Sequence, residues 1–176
     1  PVDQWTKEGQ NILDYFYKDP KRWSLTLQYY AFATRAETYL KPQNQALRVS
    51  ERCLETDFKV FATNCYKSEL LNTVEWSLYN KTYGILNNTF NWLKPDGYVY
   101  LRADPDVCYN RLQKRQRAEE SNVPLEYLKS VHDRHEEWLM TEKNSDNILV
   151  LDANNDFEHT PEVLDSFVQK VGEFIK

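Results

Sequence analysis

YVYLRADPDVCYNRL, residues 98–112, changes character halfway along. Tyr98-Val99-Tyr100-Leu101 is aromatic and β-branched, the composition of a pleated strand. Asp104-Pro105 follows, with Asp suited to an N-cap and Pro to the first helical turn. A short strand therefore runs straight into a helix. The pattern returns at Ile148-Leu149-Val150-Leu151, a third short apolar strand, followed by Thr160-Pro161-Glu162, which starts a helix reaching Ile175. Strands separated by helices specify an α/β fold with a parallel sheet. Both short apolar strands read as covered on two faces.

The rest of the chain is read the same way. Asp3 to Tyr17 is predicted helical, with Trp5, Ile12, Leu13 and Phe16 as its apolar positions, and Pro20 breaks it. Ser24 is the expected cap of a second helix running to Leu40, and Lys41-Pro42-Gln43-Asn44 is a loop. Ala46 to Ser50 reads as the first strand. Glu69 to Trp92 reads as a long helix with an apolar stripe of Leu70, Leu71, Val74, Leu78, Ile85, Phe90 and Leu93. Pro95-Asp96-Gly97 is a turn, and Pro124 opens a further helix that ends near Trp138. A single domain spanning residues 1–176 is expected, although three strands make a thin sheet for so many helices.

Composition narrows the function. The net charge of −5 argues against a nucleic-acid binder, which needs a basic face. No apolar run approaches the ~20 residues of a membrane span, so no membrane partner is expected. Three cysteines without metal-ligand spacing fit a reducing compartment; a cytoplasmic location is expected, with the mitochondrion as the alternative.

Four constellations could carry chemistry. Glu51-Arg52, with Asp57 five residues on, closes the strand 46–50 in opposite charges; a structural ion pair and a ligand site at a strand end both fit. Arg111 and Arg115 lie one helical turn apart with Lys114 beside them, and Arg117 follows where the helix should end. Arginine forks suit phosphate oxygens, and four cations in seven residues repel one another without an anion; the plain alternative is a solvated face balanced by Glu119 and Glu120. Gln28 and Arg35 are two turns apart on the helix face that carries Leu27 and Ala31, where burial without partners would be costly; the alternative is that this face is exposed. The Asn/Asp-rich stretch before Phe157 is either a ligand loop or an ordinary strand-to-helix turn. His132, His135 and Glu136 do not form the H-E-x-x-H pattern and read as a surface helix rather than a zinc site.

Five segments in order resemble the deoxynucleoside kinase family, in particular the branch of deoxycytidine and deoxyguanosine kinases. They are PVDQW (1–5), RWSLTLQYYAFATR (22–35), ERC (51–53, where the family has Glu-Arg-Ser), RLQKRQRAEESNVPLEYLKSVHDRHEEWL (111–139) and LDANNDF (151–157). The resemblance implies a P-loop kinase-like three-layer α/β fold. It also implies transfer of the γ-phosphoryl group of ATP, with Mg2+, to a deoxynucleoside 5′-hydroxyl by a homodimer, and the long 69–92 helix is a candidate for the dimer contact. Trp5 and Phe61 would pack around the base, Gln28 would pair with its edge, and Arg35 with Asp57 would screen it. Tyr17 and Glu120 would hold the sugar 3′-hydroxyl. Arg52 would contact the 5′-oxygen and Glu51 would help place Mg2+. Arg111, Arg115 and Arg117 would be lid arginines over the donor phosphates, and Asp156 and Phe157 would line the donor adenine. A carboxylate at Asp57 favours an exocyclic amine, so deoxycytidine, and purine deoxynucleosides with it, are expected over thymidine.

The family's first strand, Walker A loop and general-base Glu have no counterpart here, and the sequence has only four glycines. The chain therefore reads as N-terminally incomplete. It is expected to expose the apolar flanks of strand 46–50 and of the second-last strand, and to be inactive and poorly folded alone. Two rivals share the scaffold: a nucleotide kinase of the thymidylate type, which needs an extra basic group, and a nucleotide-binding module without catalysis.

Overall fold

A computed structural model describes residues 2–5, 11–41, 46–89, 94–117, 120, 123–142 and 147–176. The loop 42–44, the middle of the first expected helix (6–10), Phe90 to Leu93 and Glu119 lie outside the described residues. The chain divides into two compact units: Pro1–Pro95 with Arg117–Val123, and Asp96–Gln116 with Pro124–Lys176.

The first unit is helical. Helix α1 spans Val2–Trp5 and α2 spans Ile12–Lys18. Asn11 caps α2, its side-chain oxygen accepting from Asp14 N at 3.0 Å. Helix α3, Pro20–Leu40, starts four residues before the expected Ser24: Asp19 is the cap, accepting from Arg22 N at 3.1 Å, and Pro20 takes the first position. Ser24 is fully buried instead, and its hydroxyl donates to the Pro20 carbonyl one turn back. The buried face of α3 carries Ser24, Leu27, Gln28, Ala31, Phe32, Thr34 and Arg35, so polar side chains share the inward stripe with apolar ones.

Two cores meet α3. Trp5, Ile12, Phe16, Leu27, Ala31, Cys65 and Leu71 form one; Phe32, Leu54, Ala62 and Tyr79 form the other. Helix α4, Leu54–Thr56, passes through a π-helical stretch, Asp57–Ala62, into α5, Thr63–Lys67. A π-turn inserts an extra residue per turn and is frequent at functional sites.

Helix α6 spans Thr73–Thr89, starting later than the expected Glu69. Asn72 sets the start: its side chain accepts from Val74 N and Glu75 N, both at 2.9 Å, while the Glu75 carboxylate accepts from Asn72 N at 2.8 Å. The expected apolar stripe faces outward here: Val74 is 76%, Leu78 52% and Ile85 57% exposed. The buried side is aromatic, with Tyr79 in the core and Trp76 and Tyr83 packed against it. The strand expected at 46–50 does not form. A strand needs a hydrogen-bonded neighbour, residues 47–50 have none among the described residues, and Leu47 and Val49 are exposed.

The second unit holds a parallel pair, β1 (Tyr98–Arg102) and β2 (Ile148–Asp152), in register from Tyr98 opposite Ile148 to Arg102 opposite Asp152. Gly97 precedes β1 because a Cβ there would lie 2.9 Å from the Phe174 ring. Leu151 and Tyr100 are buried, whereas Val99, Leu101 and Val150 are exposed, so the expected cover on both faces is not met among the described residues. An apolar run marks a strand without fixing how many faces are covered. Helix α7 is Pro105–Arg115, ending at a left-handed Gln116; α8 is Leu125–His135, continued by a π-helical stretch, Glu136–Glu142; α9 is Pro161–Phe174.

Candidate active site

Gln28 and Arg35 project from α3 into the first unit, each only 4% exposed. The exposed-face alternative for them is thereby removed. Arg35 grips Asp57 at the head of the π-helical stretch, Nε to Oδ2 at 2.5 Å and Nη2 to Oδ1 at 3.0 Å. Its Nη1 donates to the Glu51 carbonyl at 2.8 Å, tying the Glu51-Arg52 backbone to the same helix. Burial lowers the proton affinity of Arg35, but the Asp57 carboxylate outweighs it and the net direction is upward. Burial pushes the Asp57 carboxyl up too, against the pull of Arg35. The two directions conflict, since one favours the ion pair and the other the neutral acid. The forked geometry, with two guanidinium N–H groups on two carboxylate oxygens, decides for the ion pair.

Arg52 has φ of 62°, a left-handed backbone that costs a non-glycine residue of order 1 kcal/mol. Its guanidinium lies 4.6 Å from the centroid of Phe61, and its charge acts on Asp57. The Glu51 carboxylate is 3.8 Å from Arg52 and largely exposed. Cys53 is buried and caps the short helix α4: its N–H donates to Thr56 Oγ1 at 3.3 Å.

Trp5 is buried in the first core, its indole N–H donating to Thr34 Oγ1 at 3.1 Å; Tyr17 packs half-buried against the same cluster. Glu120 is buried and pairs with Arg117 at 3.5 Å. Gln28 Nε2 donates to Cys65 Sγ at 3.6 Å, while Gln28 Oε1 is buried with no hydrogen-bond partner. A buried amide oxygen left open costs about 1–3 kcal/mol, which a ligand can recover. Cys65 carries no site signal in the sequence, since a lone thiol on an apolar position resembles any small core residue.

The remaining predicted residues belong to the second unit. Arg111 donates to the Ala153 carbonyl at 2.7 Å, to Asn154 O at 3.4 Å and to Asn155 O at 2.9 Å, and its guanidinium lies 5.4 Å from the Phe157 centroid. It therefore holds the 153–157 loop. Arg115, in the last turn of α7, is exposed. The Asp156 carboxylate pairs with His159 Nδ1 at 2.9 Å, which holds it below the usual carboxylate range. His135 stacks on Tyr100 and its Nδ1 meets the Val131 carbonyl at 2.9 Å. Among the described residues no cluster of His, Cys, Asp or Glu could hold a metal by itself, and no helix is long and apolar enough to cross a membrane.

A family model, deoxynucleoside kinase, matches residues 1–176. The deoxycytidine kinase of Homo sapiens is 38% identical over 185 residues, covering 96% of this chain and 70% of the relative. Deoxycytidine kinase 2 of Gallus gallus is 36% identical over 96% of this chain and 70% of its own length. The mitochondrial deoxyguanosine kinase of Xenopus laevis is 34% identical over 94% of this chain and 68% of its own length. With one family model running through both units, and these relatives matched over nearly the whole chain, this chain belongs to the deoxynucleoside kinase family, a family of phosphotransferases with the P-loop kinase-like α/β fold.

Proposed function

We propose that the enzyme transfers the terminal phosphoryl group of a nucleoside triphosphate, ATP, to the 5′-hydroxyl of deoxycytidine or of a purine deoxynucleoside, in preference to thymidine. The observation that carries this reading is the open, buried Oε1 of Gln28 on the same helix face as the Arg35–Asp57 pair. An acceptor-rich wall fits a base that offers an exocyclic amine. Thymine presents a carbonyl at that position and would set acceptor against acceptor in this orientation of the Gln28 amide.

In this reading Trp5 and Phe61 flank the base, Gln28 and Asp57 meet its edge, and Tyr17 and Glu120 hold the 3′-hydroxyl. Arg35 keeps Asp57 ionised and aimed. Arg52 binds the 5′-oxygen, and its fixed left-handed backbone presents the guanidinium without reorganisation. Arg115 and Arg117 neutralise donor phosphates, Arg111 fixes the loop that carries Asp156 and Phe157, and those two line the donor base. Phosphoryl transfer needs such positioning and charge more than covalent help. The exposed Glu51 carboxylate fits Mg2+, which takes one or two carboxylates beside substrate phosphates, and the ion would draw charge from the transferred group.

We further propose one catalytic domain across residues 1–176, since a single family model spans both units, and a homodimer, since Val74, Leu78 and Ile85 expose an apolar row on α6. The three free thiols fit a reducing cytoplasm.

The test is a phosphoryl-transfer assay with deoxycytidine, thymidine and deoxycytidine monophosphate. Formation of deoxycytidine monophosphate, with deoxycytidine the better acceptor, supports the proposal. Preferential phosphorylation of the monophosphate would move the chain to the nucleotide kinases.

A further inference from the structure

Asp57 opens the π-helical stretch Asp57–Ala62, and the stretch is held at two points. The first is its carbonyl ladder. The Thr63 backbone N–H reaches back five residues to the Phe58 carbonyl, and the Thr63 hydroxyl donates to the same carbonyl at 2.8 Å. In a regular α-helix that carbonyl would take the N–H of Ala62. The second is the Phe58 ring. It stacks on two rings of α6, 4.0 Å from the Tyr83 centroid with the planes 2° apart and 5.5 Å from the Trp76 centroid with the planes 10° apart. Buried side chains stand on both sides of the stretch: Leu54 and Thr56 before it, Asn64 and Cys65 after it. Loss of the extra residue would turn one side against the other by about 100°, so both sets could not stay docked. Asp57 and Phe58 are consecutive, and they leave the helix in different directions, one to Arg35 and one to α6. Two directional contacts from neighbouring residues fix one rotational setting of the helix.

We propose that Phe58 and Thr63 are positioning residues for nucleoside binding: they hold the π register that keeps the Asp57 carboxylate on Arg35, and so keep the acceptor site assembled before the nucleoside arrives. This rests on the reading of Asp57 as a group that meets the base. Neither residue touches the nucleoside in this account. Thr63 acts through the Phe58 carbonyl, Phe58 through the rotation it imposes on the residue before it, and α6 supplies the rings against which that rotation is set. A relaxed, regular helix would leave Asp57 in place in the sequence but turned from Arg35, and the nucleoside would have to restore the turn at the cost of its own affinity.

The experiment is titration calorimetry of the full chain with deoxycytidine, below the melting transition of every variant. Thr63→Val keeps the side-chain shape and removes the hydroxyl. Phe58→Leu keeps an apolar side chain and removes the flat ring. Each is expected to weaken deoxycytidine about tenfold, on the scale of one hydrogen-bond partner. Thr63→Ser and Phe58→Tyr, which restore the hydroxyl and the ring, are expected to stay within about twofold of the unmodified chain. The same changes are then made in the Arg35→Met/Asp57→Ala background. With no carboxylate left to aim, Thr63→Val should alter the dissociation constant there by less than about twofold. If Phe58→Leu does not fold, the two Thr63 variants carry the test. A Thr63→Val chain that melts lower but binds deoxycytidine as the unmodified chain does would overturn the proposal and leave the base site intact. Equal losses in both backgrounds would overturn it too, since the effect would not pass through Asp57. If the unmodified chain does not bind deoxycytidine, or the Arg35→Met/Asp57→Ala chain binds it as tightly, the base-site reading fails and the positioning role with it.

Discussion

Arg35 and Asp57 are joined by two hydrogen bonds while their side chains are 5% and 4% exposed. A pair so dry is costly to break from one side. Arg35→Met alone leaves a buried carboxylate unpaired, and denaturant unfolding should show a loss of about 3–5 kcal/mol. Arg35→Met with Asp57→Ala removes both charges and should recover most of that stability. The double variant should also raise thymidine turnover relative to deoxycytidine. An unchanged ratio would show that the pair has no part in base choice.

Arg52 holds its left-handed backbone against its own Cβ. Arg52→Gly relieves that strain, so stability should stay within about 1 kcal/mol of the parent even though the contact with Phe61 is lost. Turnover should fall by about two orders of magnitude or more, because the charge meant for the reacting phosphoryl group is gone. A steady-state assay beside a melting curve separates the two effects.

The Glu136 carboxylate accepts from Arg102 Nε and Nη2 at 2.9–3.1 Å and from the Tyr100 hydroxyl at 2.9 Å. Arg102 chiefly, with Tyr100, holds it below the usual carboxylate range against burial. A carboxyl depressed in the folded state adds stability above its unfolded value, and the contribution disappears as pH falls through the folded one. Melting temperature should therefore drop on acidification from about pH 5 downwards, and drop less in Glu136→Gln. The pair is partly exposed, so the difference at neutral pH should not exceed about 1 kcal/mol.

On α6, Leu78 stands between Val74 and Ile85 in the exposed row. Leu78→Glu should shift the chain from dimer to monomer in light scattering while leaving the Tyr79 core intact. A chain that scatters as a monomer before the change would remove the dimer proposal.

The α/β class was legible because β1 and β2 carry dense apolar runs beside strong helix-start signals at Pro105 and Pro161. Residues 46–50 also mix apolar positions (Ala46, Leu47, Val49) into a strand-like run, but a strand is a property of two segments, and no sequence window shows its neighbour. The α6 stripe misled for a related reason. Periodicity identifies a helix face, but the aromatic face at Trp76, Tyr79 and Tyr83 competed for the core and took it. At the site, Arg35 and Asp57 were readable as complementary charges, whereas the thiol that receives Gln28 was not, because a buried Cys resembles any small apolar residue. Ser24 was read as a cap, the commonest role of serine near a helix start, while Asp19 held that place.

A crystal structure with deoxycytidine bound tests the central claim most directly. The base amine should lie within hydrogen-bond distance of Gln28 Oε1, with the Asp57 carboxylate facing the same edge and Phe61 alongside the ring. Density for the base elsewhere, with Gln28 Oε1 still unpartnered, would contradict the account.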